Sequence, residues 1–305
     1  MKKLATVLIS AVMATASHAE DVLINTSFYG SYIDYSSSAV KDDGYIGGVY
    51  GYAGIGLEHS IEGEIDYTKI NYTGSGSLKQ WDFTVLYTNY SVKNTKVRIG
   101  GHYISSDDSA TDGGIILTGG YEFYTLNSYN YSIDIALSYY DNYNIEKTYI
   151  RNIYRGMGRG SFSYTTNTTG LWVYQISPKF GYSFPGTSAG DIYLETRGYY
   201  IRLSDDVGFG KNFFSVEGSL NIDAGMFGFN LYGWIGEQEF AVKKYGFAVY
   251  NLSEKYKNGF GASIRYKMSE NSSITVGLKR ETFRELDNPS DVKTTSLYFL
   301  AGVNF

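Results

Sequence analysis

From about residue 21 onward, apolar and polar residues alternate with a period of two in run after run. "NYSIDIALSYY" sets Tyr131, Ile133, Ile135, Leu137 and Tyr139 against Ser132, Asp134, Ala136 and Ser138. "MFGFNLYGWIG" sets Phe227, Phe229 and Leu231 against Gly228, Asn230 and Tyr232. Alternation of this kind puts one class of residue on each face of an extended strand, whereas a helix repeats every 3.6 residues. The pattern predicts fourteen strands, at 21–35, 44–57, 61–73, 78–91, 95–105, 113–125, 130–142, 170–184, 190–203, 212–223, 226–237, 258–268, 272–284 and 294–305. The fold class is therefore all-β.

The connections carry a second pattern. Every even one is short: "EHS", "VKNT", "NSYN", "PGTSAG", "DAG" and "SENS". The odd ones are in general longer and more polar, with two long stretches at 143–169 and 238–257. A soluble sandwich has no reason to sort its loops this way. A membrane barrel does, because tight turns gather at one end and long loops at the other. In hydrocarbon every main-chain amide must be paired, so strands can cross only as a closed barrel. An up-and-down antiparallel barrel of fourteen strands is expected. Twelve or sixteen are the alternatives, because the two long stretches have room for another pair. An even count puts both termini at the short-turn end.

The first 21 residues read differently. Lys2 and Lys3 precede an apolar run from Leu4 to about Ala14, and Ser17-His18-Ala19 follows. This is the pattern of a secretory signal peptide cut after Ala19, too short for the roughly 20 residues of a spanning helix. The expected division is 1–19 signal peptide and 20–305 barrel. Removing two lysines makes the net charge of −5 more negative, so no general basic surface for nucleic acid exists. The chain has no cysteine, which excludes disulfides and thiolate metal sites. Tyrosine is in excess at 32 copies, beside 36 glycines. Two interfacial girdles would use such half-wet rings, with Tyr32, Tyr87, Tyr103, Tyr121, Tyr139 and Tyr200 as candidates. Other tyrosines are expected to point inward.

The chain ends in "SLYFLAGVNF", an alternating strand with Leu297, Phe299, Ala301, Val303 and Phe305 on one face. With the signal peptide and the strand pattern, this ending resembles Gram-negative outer-membrane β-barrel proteins. Length and strand count resemble the fourteen-stranded monomeric porins. The resemblance covers the whole mature chain and is architectural. It implies a place in the outer membrane, both termini in the periplasm, and contact with membrane lipid and lipopolysaccharide. It also implies that the five C-terminal residues serve as an assembly signal read by the barrel-assembly machinery. A monomer is favoured, with the oligomeric state left open.

If the apolar face meets lipid, the other face lines the lumen. The second to fourth runs then contribute Glu58, Glu62, Glu64, Asp66 and Asp82, and the fifth Arg98 and His102. Glu122 and Asp134 follow, then Lys179, Glu195, Arg197 and Glu217. The last wall strands add Arg265, Lys267, Lys279 and Glu281. So many charges argue against a dry interior. A wet channel for passive diffusion of small polar solutes or ions is expected. Acids on the second to fourth strands and bases on the twelfth and thirteenth would set a transverse field. Ion pairing between neighbouring strands is the competing arrangement.

Two loops stand out. "YIRNIYRGMGRG" spaces Arg151, Arg155 and Arg159 by four, which on a helical turn would present three guanidinium groups to phosphate. "EQEFAVKKYGFAVYNLSEKYK" is amphipathic and aromatic, suited to fold inward as a gate or outward as a contact surface. A surface-binding barrel is the second functional reading. An outer-membrane protease-like enzyme is a third. Barrel proteases resembling the omptins use an Asp pair and an Asp-His pair. Asp107-Asp108 and Asp205-Asp206 are present here, but no Asp-His pair is expected to join them. His59 belongs to a predicted turn at the short-turn end. His102 is expected to be a satisfied polar residue of the wall. No catalytic set, metal site or cofactor is assigned.

Overall fold

The computed structural model describes residues 22–305 apart from 127, 156, 157, 287 and 289, with the backbone alone for 144–155 and 158–168. The expected signal segment 1–19 lies outside the described residues. The strands are β1 (Val22–Asp34), β2 (Lys41–Ile55), β3 (His59–Tyr72), β4 (Ser77–Asn89), β5 (Thr95–Ser106), β6 (Ile115–Tyr124), β7 (Tyr129–Arg155) and β8 (Gly158–Thr187). They continue as β9 (Gly190–Leu203), β10 (Asn212–Ala224), β11 (Phe227–Gln238), β12 (Val242–Lys243), β13 (Ala248–Val249), β14 (Glu254–Ser269), β15 (Ser272–Glu285) and β16 (Asp291–Asn304). Fourteen of them form one closed antiparallel barrel in chain order, with β11 beside β14 and β1 beside β16. β12 and β13 pair only with each other. The second long loop thus holds a two-residue hairpin and no extra wall strand.

Closure is the work of the chain ends. β16 lies along β1 from Asn25 opposite Asn304 to Asp34 opposite Thr295. Phe305 extends this ladder, its N–H donating to the Ile24 carbonyl at 2.8 Å. Among the described residues the barrel wall itself therefore has no open edge strand. The tight turns fall at the same end as the termini. Gly56–Glu58 is one of them, with Gly56 at φ 57. At the far end β7 and β8 overrun the barrel and stay paired from Asn144 opposite Thr169 to Arg155 opposite Gly158. The segment of Arg151, Arg155 and Arg159 is therefore a β-ribbon and not a helix. The strand pairing of the wall propagates into it.

The outward face is apolar, with Ile99, Leu117, Ile135, Val216, Leu231, Phe260, Leu297, Phe299 and Val303 all exposed. Aromatic residues ring both rims of this belt. Tyr32 meets Tyr45 at 5.3 Å between ring centroids and Tyr139 meets Trp172 at 4.4 Å near the far end. Phe123 meets Tyr131 and Phe227 meets Tyr266, both at 5.3 Å, near the terminal end. Tyr200 stacks on Phe214, and Tyr87, Tyr103 and Tyr121 are exposed outward.

The inward tyrosines explain the glycine excess. Tyr29 is directly opposite Gly48, Tyr232 opposite Gly261, and Tyr298 opposite Gly277. Each ring lies across its glycine, and Trp234 does the same over Gly259. Aromatic cover over a strand glycine lets a large ring lie flat on the wall. A Cβ added to Gly48 would sit 2.5 Å from the Tyr29 ring and 2.7 Å from the Asp66 Cβ. Gly51, on the same strand, has nothing within 4 Å of that position. Gly48→Ala should therefore lower barrel stability by about 1–3 kcal/mol through overpacking, while Gly51→Ala leaves it nearly unchanged. The temperature at which the folded band is lost in semi-native gel electrophoresis checks this. Equal behaviour of the two variants would remove the packing account.

Candidate functional site

The segment between β11 and β14 enters the barrel from the far end and crosses it. Phe240, Ala241 and Val242 are buried against Ile104, Ile116, Tyr140, Leu171, Val173, Ile201, Leu203 and Phe213, all on the inner face of β5 to β10. A second cluster joins Tyr35, Ile70, Leu78, Phe283 and Val292 on the opposite side, with Leu252 and Tyr256 packed on it. The buried Lys41 and Glu254 form an ion pair beside it. At the far end the inner wall is thus dry on almost every strand. A wholly wet lumen is corrected by this. The alternation rule failed where the inward loop gives the wall a second apolar partner, as in "GLWVYQI" with Leu171 and Val173 facing in.

Polar contacts fix the loop. Gln175 brackets Val242, accepting its N–H at 2.9 Å and donating to its carbonyl at 2.6 Å. Lys243 pairs with Glu217 at 2.8 Å and lies 4.7 Å from the centroid of the Trp234 ring. Thr118 donates to the Tyr245 carbonyl at 3.2 Å, and Thr84 to that of Gly246 at 3.4 Å. The Tyr245 ring lies 4.5 Å from the Arg98 guanidinium and 5.6 Å from that of Arg197. Tyr250 donates to Glu281 at 2.8 Å, and Asn251 to Gln80 at 2.7 Å. Phe240, Lys244 and Tyr245 all have left-handed φ, at 53°, 50° and 62°. Such backbone persists only where the surroundings hold it.

Below the loop tip the inner face is charged. Glu122 receives Lys96 at 3.3 Å and Arg98 and Lys179 at 3.0 Å. Asp134 receives Arg197 at 2.7 Å, and Glu195 lies 3.7 Å from both Lys179 and Arg197. Asp223 binds Arg265 at 2.7 Å and Lys267 at 3.1 Å, and Glu281 binds Lys279 at 2.7 Å. Each of these bases contacts an acid, and on β14 and β15 three bases share Asp223 and Glu281, so the expected basic side of a transverse field is reduced to one excess positive charge. The acids of β3 are different. Glu62 and Glu64 accept from the hydroxyls of Tyr50, at 2.6 Å, and Tyr29, at 2.7 Å, and Glu64 also meets the Asp66 carboxyl. Among the described residues no cation lies within ion-pair distance of Glu62, Glu64 or Asp66. Lys244, exposed at the loop tip, is the base that shares the lumen with Glu64.

Three expectations need correction. Glu58 is not on the wall: it sits in the Gly56–Glu58 turn with its side chain 66% exposed, as a tight turn directs. His59 opens β3, where its ring bonds the Tyr87 hydroxyl at 2.9 Å. An Asp-His pair does exist. His102 lies 3.1 Å from Asp82, and its other nitrogen 2.8 Å from the Thr84 hydroxyl. Sequence could not show it, because the members come from two strands and meet only through the register of β4 and β5. The hydroxyl, imidazole and carboxylate are in the order that nucleophilic catalysis uses. All three are buried, however, and Thr84 closes on the Gly246 carbonyl, an acceptor where an oxyanion would need donors. The group fastens the loop. Gln175, Lys243 and Tyr245 were not singled out from the sequence either.

No family model matches the chain, and no curated protein matches it. Solved structures do. A bacterial polysaccharide outer membrane secretin is 11% identical over 92% of this chain and 98% of its own, with a TM-score of 0.46. The outer-membrane expressed OmpT of Vibrio cholerae is 9% identical over 93% of this chain and 97% of its own, with a TM-score of 0.47. The anion-selective porin from Comamonas acidovorans is 8% identical over 93% and 99%, with a TM-score of 0.43. At such identities and scores the likeness adds nothing to what the strand pairing itself shows.

Glu239, where the loop leaves β11, is fully buried, and neither carboxylate oxygen has a hydrogen-bond partner. Burial, helped by Asp206 and opposed by Lys255, pushes its pKa up to about 8. A carboxyl released from the wall titrates near 4.3, so docking takes up a proton between about pH 4.3 and 8. Docking is firmest at the acid end of that window and weakens as pH rises through it. Hydrogen exchange at residues 240–246 should quicken toward pH 8, and Glu239→Gln should flatten that dependence. A pH profile unchanged by Glu239→Gln would refute the assignment.

Proposed function

We propose that this protein is a pore of the Gram-negative outer membrane that passes small hydrophilic solutes or ions, with residues 239–253 as its gate. The outward apolar belt between two aromatic rims fits a lipid bilayer, and a closed ladder suits its lack of water. The tight turns and both termini then face the periplasm. One observation carries the gate. Among the described residues, apart from the Glu254 N–H to Leu252 carbonyl bond at the loop's own root, every hydrogen bond between this loop and the wall uses a side chain on at least one side, and none belongs to the barrel ladder. The loop can leave without opening a strand. The unpaired Glu62, Glu64 and Asp66 bias the vestibule below it toward cations. The ribbon of β7 and β8 supports the second reading, a surface-binding barrel, because past Asn144 and Thr169 its strands pair only with each other. Lipopolysaccharide and the assembly machinery belong to the proposal as partners, with the barrel as a monomer.

Planar-bilayer recording tests the pore. Replacing 240–252 by a short Gly-Ser linker should raise conductance several-fold over the intact chain. In the opened form, Glu62→Gln, Glu64→Gln and Asp66→Asn together should move the reversal potential toward that of a non-selective pore. Absence of ion-permeable openings in both forms would end the channel reading.

Leu297, Phe299, Ala301, Val303 and Phe305 present their alternation on the outward face at the seam. Deleting Phe305 should lower the amount of protein assembled in the outer membrane and leave ion selectivity unchanged. Normal surface levels of the deleted form would overturn that role.

A further inference from the structure

Below the gate, on the wall away from the unpaired acids, lies a lumen-side cavity of about 480 Å3. This is within the roughly 300–1,000 Å3 range of small-molecule sites. β8 to β11, β14 and β15 line it. Its charges balance in sum: Asp223 is shared by Arg265 and Lys267, and a second acid, Asp191, accepts the Gly186 N–H at 2.7 Å. The Tyr193 hydroxyl is bonded to Asn130 and Glu195, but other neutral groups are not matched. The hydroxyls of Ser183, Ser263 and Thr275 have no hydrogen-bond partner among the described residues. Asn230 donates to the Asn221 carbonyl oxygen at 2.7 Å, which leaves the Asn221 amide N–H groups and the Asn230 carbonyl oxygen free. The Arg265 Nε is buried and unpartnered.

A site with no net charge and with unpaired hydroxyls and amides favours neither sign of ion. An ion would have to compete with contacts the wall has already made. It suits a neutral solute with many hydroxyl groups, each of which donates and accepts at once. Vicinal hydroxyls match the amide pair, one accepting from Asn221 and the other donating to Asn230. We infer that this cavity binds a neutral polyhydroxylated solute of mono- or disaccharide size. The inference rests on the pore reading for its route of entry, but the site itself lies on the fixed wall, outside the gate.

Binding of glucose, maltose and sucrose to the folded chain in detergent tests it, by calorimetry and by saturation-transfer NMR. Millimolar binding of at least one sugar is expected, with sodium gluconate and arginine hydrochloride much weaker. Asn221→Leu with Asn230→Leu should weaken binding about tenfold or more. If that pair fails to fold, Ser263→Ala with Thr275→Val should give a smaller loss in the same direction. The 240–252 replacement should leave binding intact. Absence of sugar binding by the folded wild type, or equal binding by the folded wall variants, overturns the inference. A chain that conducts ions but ignores sugars loses this inference alone. One that binds sugars but never conducts loses the pore reading and keeps the site.

Discussion

Main-chain hydrogen bonding is the constraint on which the rest depends. A strand in hydrocarbon has no water to satisfy an open edge, so the sheet must end where it began. The pairing of Asn25 with Asn304 and of Ile24 with Phe305 meets that demand, and much follows from it. Neighbours in sequence become neighbours in space. The strand count is even, and the termini share one end with the tight turns. Each residue's parity then decides whether it meets lipid or lumen. The same parity sends Phe299 and Leu297 out while Tyr298 folds inward across Gly277.

Closure creates a problem of volume. Eight strands leave an interior that side chains can fill, and sixteen or more leave a channel. Fourteen fall between. This chain fills the far half with its own loop and leaves the terminal half wet. The two halves use different chemistry. Ile104, Leu171, Val173 and Phe213 stay dry because Phe240 and Val242 cover them. Glu62, Glu64 and Asp66 remain half-exposed below, where water screens their mutual repulsion. Inward rings lie flat over glycines, so the wall loses little room to its most numerous large residue.

This division explains what could be read from sequence. Period-two alternation is local, and lipid enforces it along the whole outer belt, so strands, turns and the closing pair were legible. The lumen was legible where water takes the place of lipid, as at Glu62 or Arg265. It was not legible where the loop returns. Leu171 and Val173 face inward in a strand that is apolar on both sides, and nothing local says what covers them. Asp82, His102 and Thr84 are far apart in sequence and meet only through a cross-strand register. The left-handed backbone at Lys244 and Tyr245 lies in a run with one glycine and no proline to announce a turn. Glu58 was misplaced because one residue decides whether a charge ends a strand or tips a turn.

The same asymmetry ranks the parts by how readily they move. A hydrogen bond nets about 0.5–1.5 kcal/mol, and the wall's ladders form one cooperative ring of them. Local openings in a folded protein range from near zero up to the global stability. The loop belongs low in that range. Its bolts are few and side-chain based, three of its residues have strained backbone, and Glu239 is buried without a partner. Its apolar anchor of Phe240 and Val242 pulls the other way and holds the loop against the wall. A plug built on the wall ladder itself could leave only by unfolding the barrel. One bolted through Gln175, Thr84, Thr118 and Glu217 can exchange those contacts for water while every strand keeps its partners.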